Sequence, residues 1–241
     1  MRSRAEAAPS WLYLSGLTSL RAECTLEGDD AHYLARVVRA RAGEQVHATD
    51  GAGLVVTFEV LESRPQVRLR RVSSREQALT RELHLAVGAP QGERIDWLVE
   101  KAAELGATRL TPIDVERAAW SKWRLPRLEQ LAIAGLRQSL SAHLLRLDAP
   151  VAFSDWLAAL PVEGERFEAA RDGVSAAANR APAAGVSRIV IGPSSGFSSD
   201  ERKRLSQGHF SPIAFATGRL RTETAGVVAA AWWAAGDCAL G

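Results

Sequence analysis

The chain has 241 residues, 46% of them hydrophobic and 24% charged, with a net charge of +2. This is a globular composition, long enough for one large core or two modest ones, and it excludes a disordered or strongly polycationic chain. No apolar stretch is long enough to span a bilayer, no apolar leader core follows Met1, and Cys24 and Cys238 are too far apart in sequence to suggest a disulfide framework or metal-ligand spacing. A cytoplasmic protein with no membrane or metal partner is therefore expected.

Residues 10–72 read as β structure. Trp11–Leu14, Gln45–Ala48, Leu54–Leu61 and Val67–Val72 are short, partly alternating runs punctuated by Gly and Asp, the pattern of a small barrel. The stretch 30–41 interrupts them: Ala31, Leu34, Ala35 and Val38 recur at helical spacing, with Asp29 or Asp30 as N-cap. Residues 73–82 are polar and without a strong period, which predicts a linker. Strand–helix alternation follows. Strands are expected at Leu83–Val87, Arg109–Ile113, Leu145–Leu147, Arg166–Ala169, 188–191 and Pro212–Phe215. Helices are expected at Arg94–Leu105, ended by Gly106, at Leu125–Leu140, after a Ser154 cap, after a Ser198-x-x-Glu201 capping box, and at Thr222–Ala235. Residues 171–187 read as the least structured part. Repeated βα units predict a mostly parallel sheet covered on both faces.

Two loops carry the chemistry. Ile191-Gly-Pro-Ser-Ser-Gly-Phe-Ser198 ends one expected strand, and Arg219-Leu-Arg-Thr-Glu-Thr-Ala-Gly226 feeds the last helix. Each alone reads as a turn or a capped helix start. Together they are placed to form one crevice at the carboxyl edge of a parallel sheet, where such proteins bind ligands. The first loop has neither Walker nor dinucleotide-binding spacing, and no Gly-x-Ser-x-Gly elbow occurs. Arg219 and Arg221 oppose the dipole of the helix they precede, so a phosphate or a developing anion is one reason to keep them there. The five histidines lack metal-ligand spacing, and His32 reads as a packed or surface residue. Trp232-Trp233 on the last helix suggest a subunit contact.

Charge is patchy. Arg36, Arg39, Arg41, Arg64, Arg68, Arg70, Arg71 and Arg75 face only Glu44, Asp50, Glu59 and Glu62 across residues 34–75, and residues 117–146 hold six basic residues against Glu129 alone. Such patches fit an RNA surface. An arginine-rich composition bias, with only three lysines among 30 basic residues, produces the same pattern.

The ordered set of motifs resembles the bacterial 16S rRNA (uracil-N3)-methyltransferases of the SPOUT superfamily. It comprises His32-Tyr-Leu-Ala-Arg-Val-Val-Arg39, Gly43-Glu-Gln-Val, Asp50-Gly-Ala-Gly53, Ala89-Pro-Gln-Gly-Glu-Arg94, Glu100-Lys-Ala-Ala-Glu-Leu-Gly106, Glu116-Arg117, Arg137-Gln-Ser139 and the two loops above. The resemblance implies a small N-terminal PUA-like RNA-binding β-barrel (1–78) and a C-terminal SPOUT-type α/β domain with a deep trefoil knot (79–241). It implies S-adenosyl-L-methionine as cofactor, a homodimer, and 16S rRNA or the small ribosomal subunit as partner.

Carried onto this chain, cofactor contacts fall on Gly88, Ala89, Pro90, Ile191, Gly192, Pro193, Gly196, Phe215, Ala216, Gly218, Leu220 and Thr222. Catalysis falls on Arg221 first, then Arg219, with Glu223 orienting an arginine or capping the helix. RNA contacts fall on His32, Arg36, Arg39, Arg94, Arg117, Lys122, Arg124 and Arg127. The chain departs from the family pattern at Ser194 and Ser195, which replace a Glu and a Gly, at the loop Phe215-Ala-Thr-Gly-Arg-Leu220, and at Gln91, where Lys is usual. An RNA-binding relative without catalysis is the alternative these changes leave open.

Overall fold

The computed structural model describes residues 10–17, 22–90 and 94–238. The N-terminal stretch before Ser10 and the departure at Gln91 lie outside them. The chain forms two compact units, one of residues up to Leu79 together with Leu140–His143, the other of Thr80–Ser139 and Leu144 onward.

The first unit is a five-stranded, barrel-like sheet in the order β1-β3-β4-β5-β2, made of β1 (Ser10–Tyr13), β2 (Glu23–Leu26), β3 (Gln45–Thr49), β4 (Leu54–Glu62) and β5 (Val67–Glu76). The β1–β3 pair is parallel and the others are antiparallel. Alternate residues turn inward, so Leu12, Val46, Val56, Phe58 and Leu69 are fully or almost fully buried in one core. Sequence periodicity misses β2, whose four residues Glu-Cys-Thr-Leu bury only Leu26. It also ends β5 too early. Ser73–Glu76 stay in the ladder opposite β4 although their side chains are exposed, so polarity there marks a solvated strand and not a linker.

The helix of this unit differs from expectation at its start. α1 (Gly28–His32) has Glu27 as N-cap, with no side-chain cap bond, while Asp29 and Asp30 lie inside the first turn where they favour the helix dipole. It continues as a π-helical turn, Tyr33–Val38, that Arg39 closes in the left-handed region at φ 58°.

The second unit is a parallel sheet in the order β12-β10-β11-β6-β7-β8, with β9 also paired to β7. Its strands are β6 (Arg81–Gly88), β7 (Arg109–Asp114), β8 (Arg146–Leu147), β9 (Val151–Ala152), β10 (Glu165–Ser175), β11 (Gly185–Ile191) and β12 (Ser211–Ala214). The helices are α2 (Arg94–Glu104), α3 (Leu125–Ser139), α4 (Phe153–Ala158), α5 (Ser199–Gln207) and α6 (Thr222–Cys238). Both faces are covered, which is why the strands read as continuous apolar runs. Leu83, Leu85, Val87, Ile189 and Ile191 pack with α2, α3 and α6, whereas Ala86, Ile113 and Val190 pack with Phe153, Trp156 and Leu205 of α4 and α5.

Three further expectations are corrected. Ser154 does not cap α4; the N-cap is Ala152, without a side-chain bond, and Ser154 instead donates to Asp155. Much of 171–187 is strand: β10 runs to Ser175 because Val174 and Ser175 rejoin β12 after a bulge at residues 170–173. The α6 tryptophans do not present a free apolar face. Trp233 is buried under the Arg81 guanidinium, 4.3 Å from its ring centre, and Trp232 packs edge-on against Phe167 and Phe215 while its indole donates to Ala176 and Asn179 carbonyls.

Candidate active site

The carboxyl ends of β10, β11 and β12 and the start of α6 enclose a crevice. Its walls include Ile191 at the end of β11, Gly192, Pro193 and Gly196 from the loop that follows, Phe215, Ala216, Gly218 and Leu220 from the loop after β12, and Thr222 at the start of α6. It lies beside the point where strand order reverses, between β11 and β6, the usual ligand position in open α/β sheets.

The first loop is a tight turn: the Gly196 amide donates to the Pro193 carbonyl at 2.8 Å, and Gly196 sits at φ +73°, a conformation side-chain-bearing residues seldom adopt. The second loop holds the first. Thr222 Oγ1 donates to the Gly192 carbonyl at 3.0 Å, and the Arg219 guanidinium donates to the Ser194 carbonyl. Arg117, from the loop after β7, reaches the Ser195 carbonyl at 3.4 Å. The two motifs thus form one cross-linked unit, and the turn closes with serines at both central positions.

The predicted cofactor residues divide. Nine of them, Ile191, Gly192, Pro193, Gly196, Phe215, Ala216, Gly218, Leu220 and Thr222, line the crevice, as does Arg219. Gly88 lies behind it: a Cβ there would meet Pro193 at 2.7 Å, so its bareness lets the two loops touch. Ala89 and Pro90 line a separate hollow with Trp120, Lys122 and Arg124.

Of the predicted catalytic residues, Arg221 is exposed and its guanidinium makes no hydrogen bond or ion pair with a described residue. Glu223 is buried and accepts from Arg94 at 2.7 Å. The predicted RNA residues are scattered over both units. His32 and Arg36 border a shallow hollow of the first unit with Arg64, and Arg39 is exposed. In the second unit Lys122 and Arg124 are exposed, while Arg127 pairs with Asp96 at 3.1 Å.

Sequence reading misses the charged side of the crevice. Glu168, Ala170 and Arg171 of β10 and Arg202 of α5 also line it. Ala170 and Arg171 reach it because residues 170–173 bulge from the β10–β12 ladder, a local irregularity that a single strand pattern does not reveal. Arg202 lies 3.2 Å from both Glu168 and Asp172. Burial pushes the Glu168 carboxyl up, Arg202 opposes that shift, and Asp172 adds to it.

α5 is anchored at the same edge. Ser198 accepts from the Glu201 amide, Glu201 accepts from the Ser198 amide at 2.8 Å, and its other oxygen takes the Glu116 amide at 2.8 Å. One buried carboxylate therefore caps the helix and pins the loop after β7. Among the described residues no three His, Cys, Asp or Glu gather as a metal site.

Residues 77–234 match the model of the RNA methyltransferase domain, and residues 26–70 match that of the RNA methyltransferase PUA domain. The chain belongs to the RNA methyltransferase family. The segment matched to the PUA domain lies in the first unit, and most of the segment matched to the RNA methyltransferase domain lies in the second. The Ribosomal RNA small subunit methyltransferase E of Synechocystis is 27% identical over 224 residues, 88% of this chain and 73% of that protein. The crystal structure of a probable rRNA-methyltransferase from Porphyromonas gingivalis superposes with a TM-score of 0.83 at 24% identity, covering 96% of this chain and 100% of that one. The Ribosomal RNA small subunit methyltransferase E of Neisseria gonorrhoeae, solved bound to S-adenosyl methionine, superposes with a TM-score of 0.77 at 23% identity, covering 92% and 95% of the two chains.

Proposed function

We propose that this chain methylates N3 of one uridine in 16S rRNA, as naked RNA or within the small ribosomal subunit, using S-adenosylmethionine and acting as a cytoplasmic homodimer. The observation that carries this reading is the loop pair 191–196 and 215–222, cross-linked around one crevice in a chain of the RNA methyltransferase family. The relatives named for small-subunit rRNA supply the substrate class, and the trefoil knot expected for such a domain is proposed to involve these same loops.

The crevice chemistry fits the cofactor. Ile191, Phe215, Leu220 and Ala225 offer apolar surface for an adenine, glycine-bearing turns expose backbone for a ribose, and Arg171 and Arg202 offer charge for the carboxylate of an aminoacyl tail. When bound, the cofactor supplies an electrophilic methyl on sulfonium. The protein's part is to align the base in line with that methyl and to manage the uridine N3 proton. A paired uridine hides N3 in Watson–Crick bonding, so the target base enters unpaired or flipped out.

Arg221 is assigned to stabilise the N3 anion, since its exposed guanidinium has no partner among the described residues. Arg219, engaged with the Ser194 carbonyl, acts on the cofactor loop; Glu223 holds Arg94 and the α6 start. Arg36, Arg39, Arg117, Lys122 and Arg124 are assigned to phosphates. The alternative, an RNA-binding relative without catalysis, loses support because the Ser194-Ser195 turn still closes and is still held by Arg219 and Thr222. Calorimetric titration with S-adenosylmethionine tests the choice: micromolar binding at one site per chain is expected, and no binding would favour the alternative.

A further inference from the structure

Glu168 is the one acid among the described residues lining the crevice, which Arg171, Arg202 and Arg219 also line. Its side chain is 9% exposed. Its Oε1 lies 3.2 Å from Arg202 Nε, yet no N–H is aligned on that oxygen, and Arg202 is half exposed and shared with Asp172. A buried carboxylate is stabilised by the fold only when hydrogen bonds replace its water. Here that replacement is incomplete. A titratable group buried in a cleft and poorly satisfied there is suited to a ligand. As the one acid among the described lining residues, with an oxygen on which no N–H is aligned, Glu168 is the group of this crevice able to receive a cationic part of a ligand.

The sequence around it sharpens the point. The turn after β11 carries Ser194 and Ser195 and so contributes no acid to the crevice. Three guanidiniums without a counter-charge would repel a sulfonium. We propose that Glu168 receives the sulfonium end of S-adenosylmethionine and sets the preference of this crevice for the charged cofactor over its neutral thioether product. This rests on the cofactor reading given under Proposed function. Methyl transfer turns the cation into S-adenosylhomocysteine, so the same carboxylate favours exchange of product for fresh cofactor. Glu168 is a specificity-determining residue here and takes no proton from the substrate.

The test is calorimetric titration of the parent and of Glu168→Gln with S-adenosylmethionine and with S-adenosylhomocysteine, alongside thermal melting. The expected result is a loss of ~10-fold or more in affinity for S-adenosylmethionine in Glu168→Gln, with S-adenosylhomocysteine changed by less than about 3-fold, as for removal of one charge near another in a half-buried site. Melting at or above the parent temperature is expected, because the substitution removes a poorly satisfied buried charge. Glu168→Asp should recover part of the discrimination. Equal losses for both ligands, or a melting temperature several degrees lower with discrimination intact, would overturn the assignment in favour of a structural role. A parent that binds both ligands and a variant that binds them identically would also overturn it. A parent that binds neither would instead remove the cofactor reading itself.

Discussion

At the scale of single residues, two arginines two positions apart have different work. Arg219 is consumed in holding a loop carbonyl, whereas Arg221, directly before α6, opposes the helix dipole and has no partner among the described residues. Stability therefore gives little reason for Arg221, and its loss should appear in turnover. Arg221→Ala should lower kcat by ~100-fold, as for removal of one preorganised charge-stabilising donor, with cofactor affinity nearly intact. Single-turnover methyl transfer measures this; turnover within a few-fold of the parent would pass the role to another group. His84 makes a separate, non-catalytic prediction. Burial, and secondarily Arg109, pushes its imidazole down to about 4, and it stays neutral beside Thr111 at 2.6 Å. Between about 6.5 and about 4 the unfolded chain binds a proton that the native one does not. Stability should then fall as pH drops through that window, by roughly 3 kcal/mol in total. Chemical denaturation across that pH range should show the slope, and His84→Gln should flatten it.

At the scale of elements, the loops matter through what holds them. Gly88 at the end of β6 admits Pro193 against its backbone, so Gly88→Ala should displace the 192–196 turn and weaken S-adenosylmethionine binding about 10-fold or more, while the sheet still folds. An unchanged dissociation constant would uncouple that contact from the crevice. Glu201→Ala removes the α5 capping box and the clasp on Glu116 together; the expected cost is about 2–3 kcal/mol, read as a lower melting temperature. The α5 box is legible in the sequence because its two partners are three residues apart. The cores of β6, β7 and β11 are legible because a short apolar run bounded by polar or Gly residues suits a strand buried on both faces. The cap of α1 is not: Asp29 and Asp30 carry the right side chains, but the preceding Glu27 has the extended backbone. The charged side of the crevice is illegible for a related reason. Glu168 and Arg202 belong to different elements 34 positions apart, and only the β10 bulge and the packing of α5 bring them together.

At the scale of the whole molecule, near-neutral net charge hides local basic surface on both units. If Arg36, Arg39, Arg117, Lys122 and Arg124 meet phosphates, RNA affinity should fall steeply with salt, with a log–log slope of about −0.7 to −0.9 per contact. Lys122→Ala should make that slope shallower by about one contact's worth; a slope indifferent to salt would rule out this surface. The proposed homodimer predicts a dimeric mass in sedimentation at micromolar concentration. A monomeric mass at that concentration would overturn it. The most direct measurement combines purified protein, S-adenosylmethionine labelled in its methyl group, and small ribosomal subunits lacking the modification, with the product mapped by mass spectrometry of nuclease fragments. The account predicts one labelled nucleotide in 16S rRNA, a uridine methylated at N3, and its disappearance with Arg221→Ala. Label on a ribose 2′-oxygen or on another base, or no label with a cofactor-binding protein, would contradict it.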